Sequence, residues 1–190
     1  MTEAALPPRL VVGVLAIQGD VAEHLAALAA AGALGRRVRR PEDLAGLAGL
    51  ILPGGESTTI GMLGREVGLL EAIRARLGAG LPVWGTCAGL ILLARDLGRD
   101  QPLIGGLDIR VERNAFGRQV DSFEVDLRLP FLEGGPFRAV FIRAPLVLQA
   151  GPAEPAPPHD RQVPGPLGKE GASLALQSMA RPAERSLSRG

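Results

Sequence analysis

Three short apolar segments are each followed by a glycine-containing turn and then by a helical pattern, and this repeat constrains the fold more than any other feature. The segments are residues 9–17, 50–52 and 81–84. Such nearly continuous apolar runs are typical of strands buried on both faces of a parallel sheet. Strands that alternate with helices across short connections predict an α/β fold of three layers, in which an open, mostly parallel sheet carries helices on both faces. Binding sites of such folds lie in the turns at the carboxyl ends of the strands.

The helical patterns between the strands have recognisable beginnings. Asp20 precedes the segment VAEHLAALAAAG and is expected to cap a helix there. A second helix is predicted over residues 60–77, and a third over the segment LILLARDLG that follows Gly89. Residues 36–40 (RRVRR) are interpreted as a solvent-exposed edge strand rather than an anion-binding patch, because no aromatic residue is interleaved with the arginines.

After the strand–turn–helix repeats, the composition of the chain changes at two places. Segments rich in β-forming residues, at 107–112, 120–127 and 139–142, predict an antiparallel extension of the sheet. Residues 151–190 then contain the only lysine, Lys169, and 7 of the 16 prolines, and within them only SLALQSMA shows a weak helical pattern. We therefore divide the chain into a folded domain at residues 1–150 and an atypical, proline-rich tail at residues 151–190 that is expected to be poorly ordered.

Charge and composition exclude several classes of protein. The 190 residues carry 21 Lys and Arg against 20 Asp and Glu, so the basic stripe of a nucleic-acid-binding protein is not expected. No apolar run approaches the roughly 20 residues that a membrane span needs, so no membrane partner is expected. The opening MTEAALPPRL lacks the pattern of a signal peptide, which predicts a cytoplasmic protein. Because Cys87 is the single cysteine, an internal disulfide is excluded.

The segment GTCAG at residues 85–89 has the form G-x-C-x-G, between an apolar strand and a helix. This is the cysteine counterpart of the nucleophile elbow, a sharp turn whose glycines allow close backbone approach and leave the central side chain at the sheet edge. A helix that begins after Cys87 favours its thiolate, and the Ala88 amide points to where an oxyanion forms. A buried core cysteine is the alternative, and the strand–turn–helix context favours the nucleophile.

A second glycine-rich turn follows the preceding strand, at residues 53–56 (PGGE). Taken alone, this segment describes either a simple turn or part of a site. In the same sheet as the cysteine turn, its amides at the start of a helix can supply a second oxyanion donor. The two turns together therefore indicate one site.

Five segments now carry a resemblance to a known family: VLAIQG, LILPGGESTTI, VWGTCAGLILLA, VERNAFGRQVDSFE and VFIRAP. Together they resemble the glutaminase subunits of the two-component pyridoxal 5′-phosphate synthase, within the class I, triad-type glutamine amidotransferases. The resemblance spans about residues 10–151, about three-quarters of the chain. It implies the flavodoxin-like fold of that class, with a C-terminal closure that the tail does not match.

The resemblance implies roles for individual residues. Cys87 matches the nucleophile that attacks the side-chain carboxamide of L-glutamine, and the amides of Gly55 and Ala88 match its oxyanion hole. The residues that match glutamine contacts are Gly54, Gly55, Glu56, Arg113, Ile142 and Arg143. An arginine can pair bidentately with the carboxylate of the glutamine zwitterion. Without the motifs, these arginines would be interpreted as surface residues, because 20 of the 21 basic residues are arginines.

The resemblance also implies a reaction and a partner. Glutamine is hydrolysed to glutamate and ammonia through a cysteinyl thioester, and the ammonia passes to a synthase subunit with a (β/α)8 barrel in a large hetero-oligomer. Docking to that subunit typically activates the glutaminase. No metal or bound cofactor is implied for this chain, since pyridoxal 5′-phosphate is the product of the pathway.

The family's general acid is the element that this sequence does not contain. Attack on an amide needs an acid that protonates the departing ammonia, and the family takes it from a late His-Pro-Glu motif. This chain has no such motif, and its two histidines are His24 and His159. His24 is interpreted as structural or interfacial. A pair of His159 with Asp160 in a proline-rich loop is not expected to hold an imidazole against Cys87.

Two other interpretations therefore stay open beside the active glutaminase. One is a catalytically impaired subunit that binds glutamine or docks to the synthase and keeps Cys87. The other is a different cysteine hydrolase on a flavodoxin-like sheet, which the PGGEST and VERNAFGRQ segments disfavour. Because the family pattern ends where the composition changes, we hypothesise that the tail is a translated frameshift product or a diverged terminus.

Overall fold

The structure is a computed structural model that describes residues 10–113, 123–127, 137–141, 145–150 and 179–180. Its helices are α1 (Val21–Ala30), α2 (Ser57–Glu66), α3 (Leu69–Gly78) and α4 (Ala88–Leu93). Its strands are β1 (Val11–Leu15), β2 (Leu34–Val38), β3 (Gly49–Leu52), β4 (Val83–Gly85), β5 (Ala94–Asp96), β6 (Leu107–Glu112), β7 (Phe123–Leu127), β8 (Phe137–Phe141), β9 (Leu146–Ala150) and β10 (Met179–Ala180). Within the described ranges, no helix is long and apolar enough to cross a bilayer.

The central sheet has the strand order β10-β4-β3-β1-β2. β1 pairs in parallel with β2 on one side and with β3 on the other, and β3 pairs in parallel with β4. Val14 is level with Ile51, and Ile51 with Trp84, so the carboxyl ends of these strands lie at one edge. The predicted α/β fold with a mostly parallel sheet is confirmed.

Apolar side chains cover both faces of this sheet. On one face Val14 and Ile51 pack with Val21 of α1. On the other face, Leu15 and Leu52 join a larger cluster that includes Ile60 of α2 and buried residues of α3 and α4. Each fully buried leucine or isoleucine stabilises the fold by about 1.5–3 kcal/mol. The helices therefore lie on both faces, as the three-layer prediction requires.

Of the predicted helices, one is interrupted in the structure and another ends earlier than expected. The helix expected over residues 60–77 is divided into α2 and α3, because Gly68 adopts a left-handed conformation with φ of 71°. The helical pattern continues across the break because both helices contribute buried apolar residues to the same cluster. The helix expected over LILLARDLG ends at Leu93, and Ala94 begins β5, where it pairs with Leu107 of β6. Pairing with a distant strand outweighs the local helical pattern here.

The arginine-rich segment forms the outer strand of the sheet. β2 lies at Leu34–Val38, two residues earlier than expected, and is the last strand in the sheet order. Its side chains are exposed except for that of Val38. The interpretation as a solvent-exposed edge strand is confirmed.

The β-rich part of the chain forms two smaller sheets. β6 lies exactly where residues 107–112 predict it and pairs antiparallel with β9, while β7 pairs antiparallel with β8. The other two predicted strands, at 120–127 and 139–142, appear as β7 and β8 with shifted bounds. β5 adds a parallel neighbour to β6, which the sequence did not predict.

The end of the chain contributes a short strand to the central sheet. Met179 and Ala180 of β10 pair antiparallel with Trp84 and Val83. These two residues end the SLALQSMA segment, for which a helical turn was expected, and they are extended instead. The remainder of the tail, residues 151–178 and 181–190, lies outside the described residues. The division into a domain and a tail stays a prediction.

Candidate active site

Three turns from separate parts of the sequence meet at the carboxyl edge of the central sheet. They follow β1, β3 and β4, which are neighbours in the sheet. Gly54, in the turn after β3, lies between the other two turns. A Cβ atom on Gly54 would lie 2.7 Å from Oδ2 of Asp20 and 3.7 Å from Cβ of Cys87. The structure therefore brings the two predicted glycine turns together and adds the turn after β1.

Cys87 occupies a strained backbone conformation at this edge. Its φ of 47° and ψ of −101° make it the one non-glycine residue with a positive φ among the residues that the structure describes. Its side chain is exposed, and α4 begins at Ala88, directly after it. Such strain costs on the order of 1–3 kcal/mol and persists only where the surrounding structure enforces it. The predicted elbow geometry is present.

The two glycines of the G-x-C-x-G segment allow the backbone contacts that enforce this turn. A Cβ on Gly85 would lie 2.5 Å from the carbonyl carbon of Gly89, and a Cβ on Gly89 would lie 2.1 Å from the carbonyl oxygen of Leu52. Real Cβ atoms do not approach backbone atoms this closely. The elbow therefore rests directly on the backbone of its neighbour strand β3, and no side chain can replace either glycine without a backbone shift.

The turn after β3 is tied to the turn after β1. The backbone N–H of Glu56 donates to Oε1 of Gln18 at 2.8 Å, and the N–H of Asp20 donates to the carbonyl of Gly54 at 3.1 Å. Gln18 stands in the VLAIQG segment, but sequence reasoning did not single it out. Its position directly after a buried strand was the signal that it belongs to the site.

Glu56 closes the turn and begins α2. Its Oε2 accepts from the backbone N–H of Thr59 at 2.9 Å, as a helix N-cap does. Desolvation raises the pKa of Glu56, but hydrogen bonds from the backbone of Thr59 and Thr58 and from Arg113 outweigh it and lower the pKa to about 2. Glu56 is therefore ionised at neutral pH.

Arg113 reaches this turn from the end of β6. Its Nη2 donates to Oε1 of Glu56 at 2.5 Å, and its Nη1 donates to Oγ1 of Thr58 at 2.7 Å. The Arg113 side chain is 17% exposed, whereas that of Glu56 is 47% exposed. The structure thus places an arginine and a glutamate, 57 residues apart in sequence, side by side at the edge of the site.

A buried glutamine supports this charged pair. Oε1 of Gln101 accepts from Nη1 of Arg113 at 3.2 Å and from Oγ1 of Thr58 at 3.3 Å. Its Nε2 is buried and has no hydrogen-bond partner in the described part of the chain. Gln101 lies in an irregular segment, so its sequence offered no pattern from which this role could be predicted.

The two predicted oxyanion donors belong to the two glycine-containing turns that follow β3 and β4. Gly55 is in the exposed turn after β3, and Ala88 is the first residue of α4. Among the described residues, neither amide donates to a backbone or side-chain acceptor. Gly55 is exposed, whereas Ala88 is buried, and the role of the two amides as oxyanion donors stays a prediction.

Several residues named in the sequence analysis lie outside the described residues. Ile142 and Arg143, the other predicted glutamine contacts, lie outside them, as do His159 and Asp160. His24, interpreted as structural or interfacial, extends from α1 to the cysteine turn, where its Nε2 lies 3.3 Å from Oγ1 of Thr86.

Chemically, the site combines a thiol, free amides and a pair of opposite charges. An exposed cysteine on a strained turn is suited to nucleophilic attack, and amides beside it are suited to a developing oxyanion. Arg113 and Glu56 together offer complementary charges to a zwitterion. This arrangement suits attack by a cysteine on a carbonyl carbon.

Comparison with known proteins agrees with this chemistry. The sequence pattern of the SNO glutamine amidotransferase family matches residues 14–159. The Pyridoxal 5′-phosphate synthase subunit PdxT of Frankia alni is 63% identical over 145 residues, which cover 75% of this chain and 73% of the relative. The protein of the same name from Acidothermus cellulolyticus is 58% identical over 155 residues, covering 80% of this chain and 74% of the relative.

A solved structure shares the fold as well. A crystal structure of a glutamine amidotransferase superimposes with a TM-score of 0.70 at 52% identity, covering 74% of this chain and 75% of that one. The strained Cys87 turn and the glycine turn after β3 both fall within the residues that the family pattern matches. The chain therefore belongs to the SNO glutamine amidotransferase family.

Proposed function

We propose that this chain is the glutaminase subunit of a pyridoxal 5′-phosphate synthase, that it hydrolyses L-glutamine to glutamate and ammonia for vitamin B6 biosynthesis, and that Cys87 is its nucleophile. The observation that carries the proposal is the backbone of Cys87, whose φ is 47° and whose thiol is exposed. This turn packs beside Gly54 in a chain that belongs to the glutamine amidotransferase family. Relatives named as subunits of pyridoxal 5′-phosphate synthase support the pathway.

The charged pair supports glutamine as the substrate. Glutamine carries an α-ammonium and an α-carboxylate on one carbon, and Arg113 and Glu56 present the opposite charges side by side. In the proposal, the ammonium lies against Glu56 and the carboxylate against Arg113. Gly54 and Gly55 contact the extended side chain through their backbone. The further contacts proposed for Ile142 and Arg143 complete the set.

The reaction follows from this orientation. The thiolate of Cys87 attacks the side-chain carbonyl carbon of glutamine, and the π electrons of the C=O bond move to oxygen, where the N–H groups of Gly55 and Ala88 donate to it. When the tetrahedral intermediate collapses, the C–N bond breaks and the nitrogen leaves as ammonia after it accepts a proton. Water then attacks the thioester, which releases glutamate and restores the thiol of Cys87.

The source of the ammonia proton separates two candidate functions. The chain contains no His-Pro-Glu segment, which supplies the acid in the family. This observation favours the second candidate, a subunit that binds glutamine or docks to the synthase and keeps Cys87 but does not turn over. In that case the site forms, and the reaction stops before the amide bond breaks.

The proposal extends to the partner and the domain division. The ammonia is delivered to a synthase subunit with a (β/α)8 barrel in a large hetero-oligomer, and residues 1–150 form the glutaminase domain, with residues 151–190 as an atypical tail. A cytoplasmic location belongs to the same proposal, because thiols are kept reduced there.

Ammonia release tests the two candidates. The chain is mixed with a synthase subunit that pairs with a close relative, and glutamine hydrolysis is compared with that of Cys87→Ala. Release that disappears in Cys87→Ala supports the active glutaminase. If no ammonia is released, labelling of Cys87 by a diazo-ketone analogue of glutamine supports the impaired subunit. The absence of both contradicts the role of Cys87.

A further inference from the structure

We propose that His24 is a positioning residue of the cysteine turn at residues 85–89. Through Thr86 it holds the strained backbone conformation of Cys87 and thereby sets the reactivity of the thiol. The inference rests on the proposed nucleophilic role of Cys87. It starts from a contact between α1 and the residue that precedes the nucleophile, where Nε2 of His24 lies 3.3 Å from Oγ1 of Thr86.

Thr86 is fixed from three directions. Its backbone N–H donates to the carbonyl of Leu52 at 3.0 Å, and its carbonyl accepts from the N–H of Gly89 at 2.8 Å. The contact with His24 is the third, and it is the only one of the three that uses the side chain. The peptide that joins Thr86 to Cys87 is thus fixed immediately before the residue with φ of 47°. Because strain persists only where the surroundings enforce it, losing one of these contacts lets the turn relax.

His24 is itself held in place. The edge of its ring meets Trp84 with the ring centroids 6.0 Å apart and the planes at 78°, which is a favourable T-shaped geometry. Its backbone N–H donates to the carbonyl of Asp20 at 3.4 Å in the first turn of α1. α1 therefore contacts β4 and the following turn at two residues, Trp84 and Thr86, through one side chain.

The charge state of His24 suits this role. Burial lowers its pKa from the ordinary 6.5, against the opposing effects of Asp20 and Glu23. The lowered pKa favours the neutral ring, in which Nε2 can donate to or accept from the Thr86 hydroxyl according to its tautomer.

The test uses the fact that Cys87 is the only cysteine, so that alkylation by iodoacetamide reports on one thiol. Rate constants are measured from pH 6 to pH 10 for the full chain and for His24→Ala, Thr86→Val and the double variant. Each single variant is expected to slow alkylation about 5- to 10-fold, in keeping with one hydrogen bond of about 1–1.4 kcal/mol. The double variant should be no slower than the slower single variant, since both remove the same contact.

Two controls separate positioning from general loss of stability. Ala27→Gly weakens α1 by about 1 kcal/mol at an exposed position and should alkylate at the rate of the parent chain. Thr86→Ser returns the hydroxyl and should restore most of the rate. If His24→Ala does not fold, the proposal is tested by comparing the alkylation rates of Thr86→Val and Thr86→Ser.

Either of two results overturns the proposal: Thr86→Val alkylates as fast as the parent chain, or the effects of His24→Ala and Thr86→Val add. Iodoacetamide reacts with the Cys87 thiol in the absence of glutamine. The alkylation rates therefore test the positioning role separately from glutamine hydrolysis. If the chain releases no ammonia but the His24 and Thr86 variants alkylate at the expected rates, the positioning role of His24 is supported. If the chain is active but the variants do not alkylate at those rates, the positioning role is contradicted.

Discussion

The two sides of Cys87 are built in different ways. On the elbow side, Gly85 and Gly89 lie against backbone atoms at distances that leave no room for a side chain. On the charged side, Arg113 and Glu56 meet through long side chains, and Glu56 is 47% exposed. Backbone contact fixes a position within tenths of an ångström, whereas exposed side chains adjust. The difference indicates that backbone packing fixes the Cys87 turn, whereas the Arg113–Glu56 pair depends on side-chain hydrogen bonds that single substitutions can remove.

The largest expected effect lies on the elbow side. Gly89→Ala places a Cβ 2.1 Å from the carbonyl oxygen of Leu52 in β3, so β3 and α4 must separate. We expect the free energy of unfolding to fall by about 3 kcal/mol or more. Chemical denaturation followed by circular dichroism measures it.

Gly78→Ala is the matched control, because nothing lies within 4 Å of a Cβ at the end of α3. This variant should be neutral or stabilise the chain by up to about 1 kcal/mol, as alanine does in helices. Equal losses in both variants would contradict the packing argument.

An intermediate effect is expected when the charged pair is broken. Arg113→Met keeps the aliphatic stem and removes the donors to Glu56 and Thr58. The affinity for glutamine should fall about 30-fold, equivalent to about 2 kcal/mol for a charge-assisted pair. Protection of Cys87 from alkylation by increasing glutamine gives the dissociation constant even if the chain does not turn over.

Arg110→Met is the control for this variant, since Arg110 pairs with Asp96 at 3.5 Å and both side chains are about half exposed. Its effect on glutamine affinity should be less than twofold. If glutamine protects Cys87 from alkylation equally well in Arg113→Met and in the parent chain, the proposed contact between Arg113 and glutamine is contradicted.

The smallest expected effect concerns acid stability. Glu56 has a pKa of about 2 in the fold, below the ordinary 4.5, so its contribution to stability is complete above pH 4.5 and is lost as the pH falls towards 2. The difference in melting temperature between the parent chain and Glu56→Gln should therefore shrink from pH 6 to pH 3. The contribution is below about 1 kcal/mol, because the side chain is half exposed.

Glu42→Gln, at an exposed position, is the control for the same pH series. A difference for Glu56→Gln that stays constant with pH would show that the hydrogen bonds from Thr59 and Arg113 do not favour the ionised form in solution.

Local patterns predicted the parts of the fold that depend on neighbouring residues. The order of strands, turns and helices followed from apolar runs and glycines, and the turn around Cys87 followed from its two glycines and its place between a strand and a helix. The helix over residues 60–77 was wrong at its middle and the helix after Gly89 at its end. In both places the helical pattern continued while the tertiary structure changed the backbone, by a left-handed glycine and by strand pairing.

The sequence by itself determined the class of fold, the glycine-flanked turn around Cys87 and the family, because each depends on residues that are close together in the chain. Only the tertiary structure decided which residues meet there: the Gln18 side chain with the backbone of Glu56, and the side chains of Gln101 with Arg113 and of His24 with Thr86. These pairs are 38, 12 and 62 residues apart. No periodic pattern reports such contacts, because they arise when strands from distant segments align their carboxyl ends at one edge of the sheet.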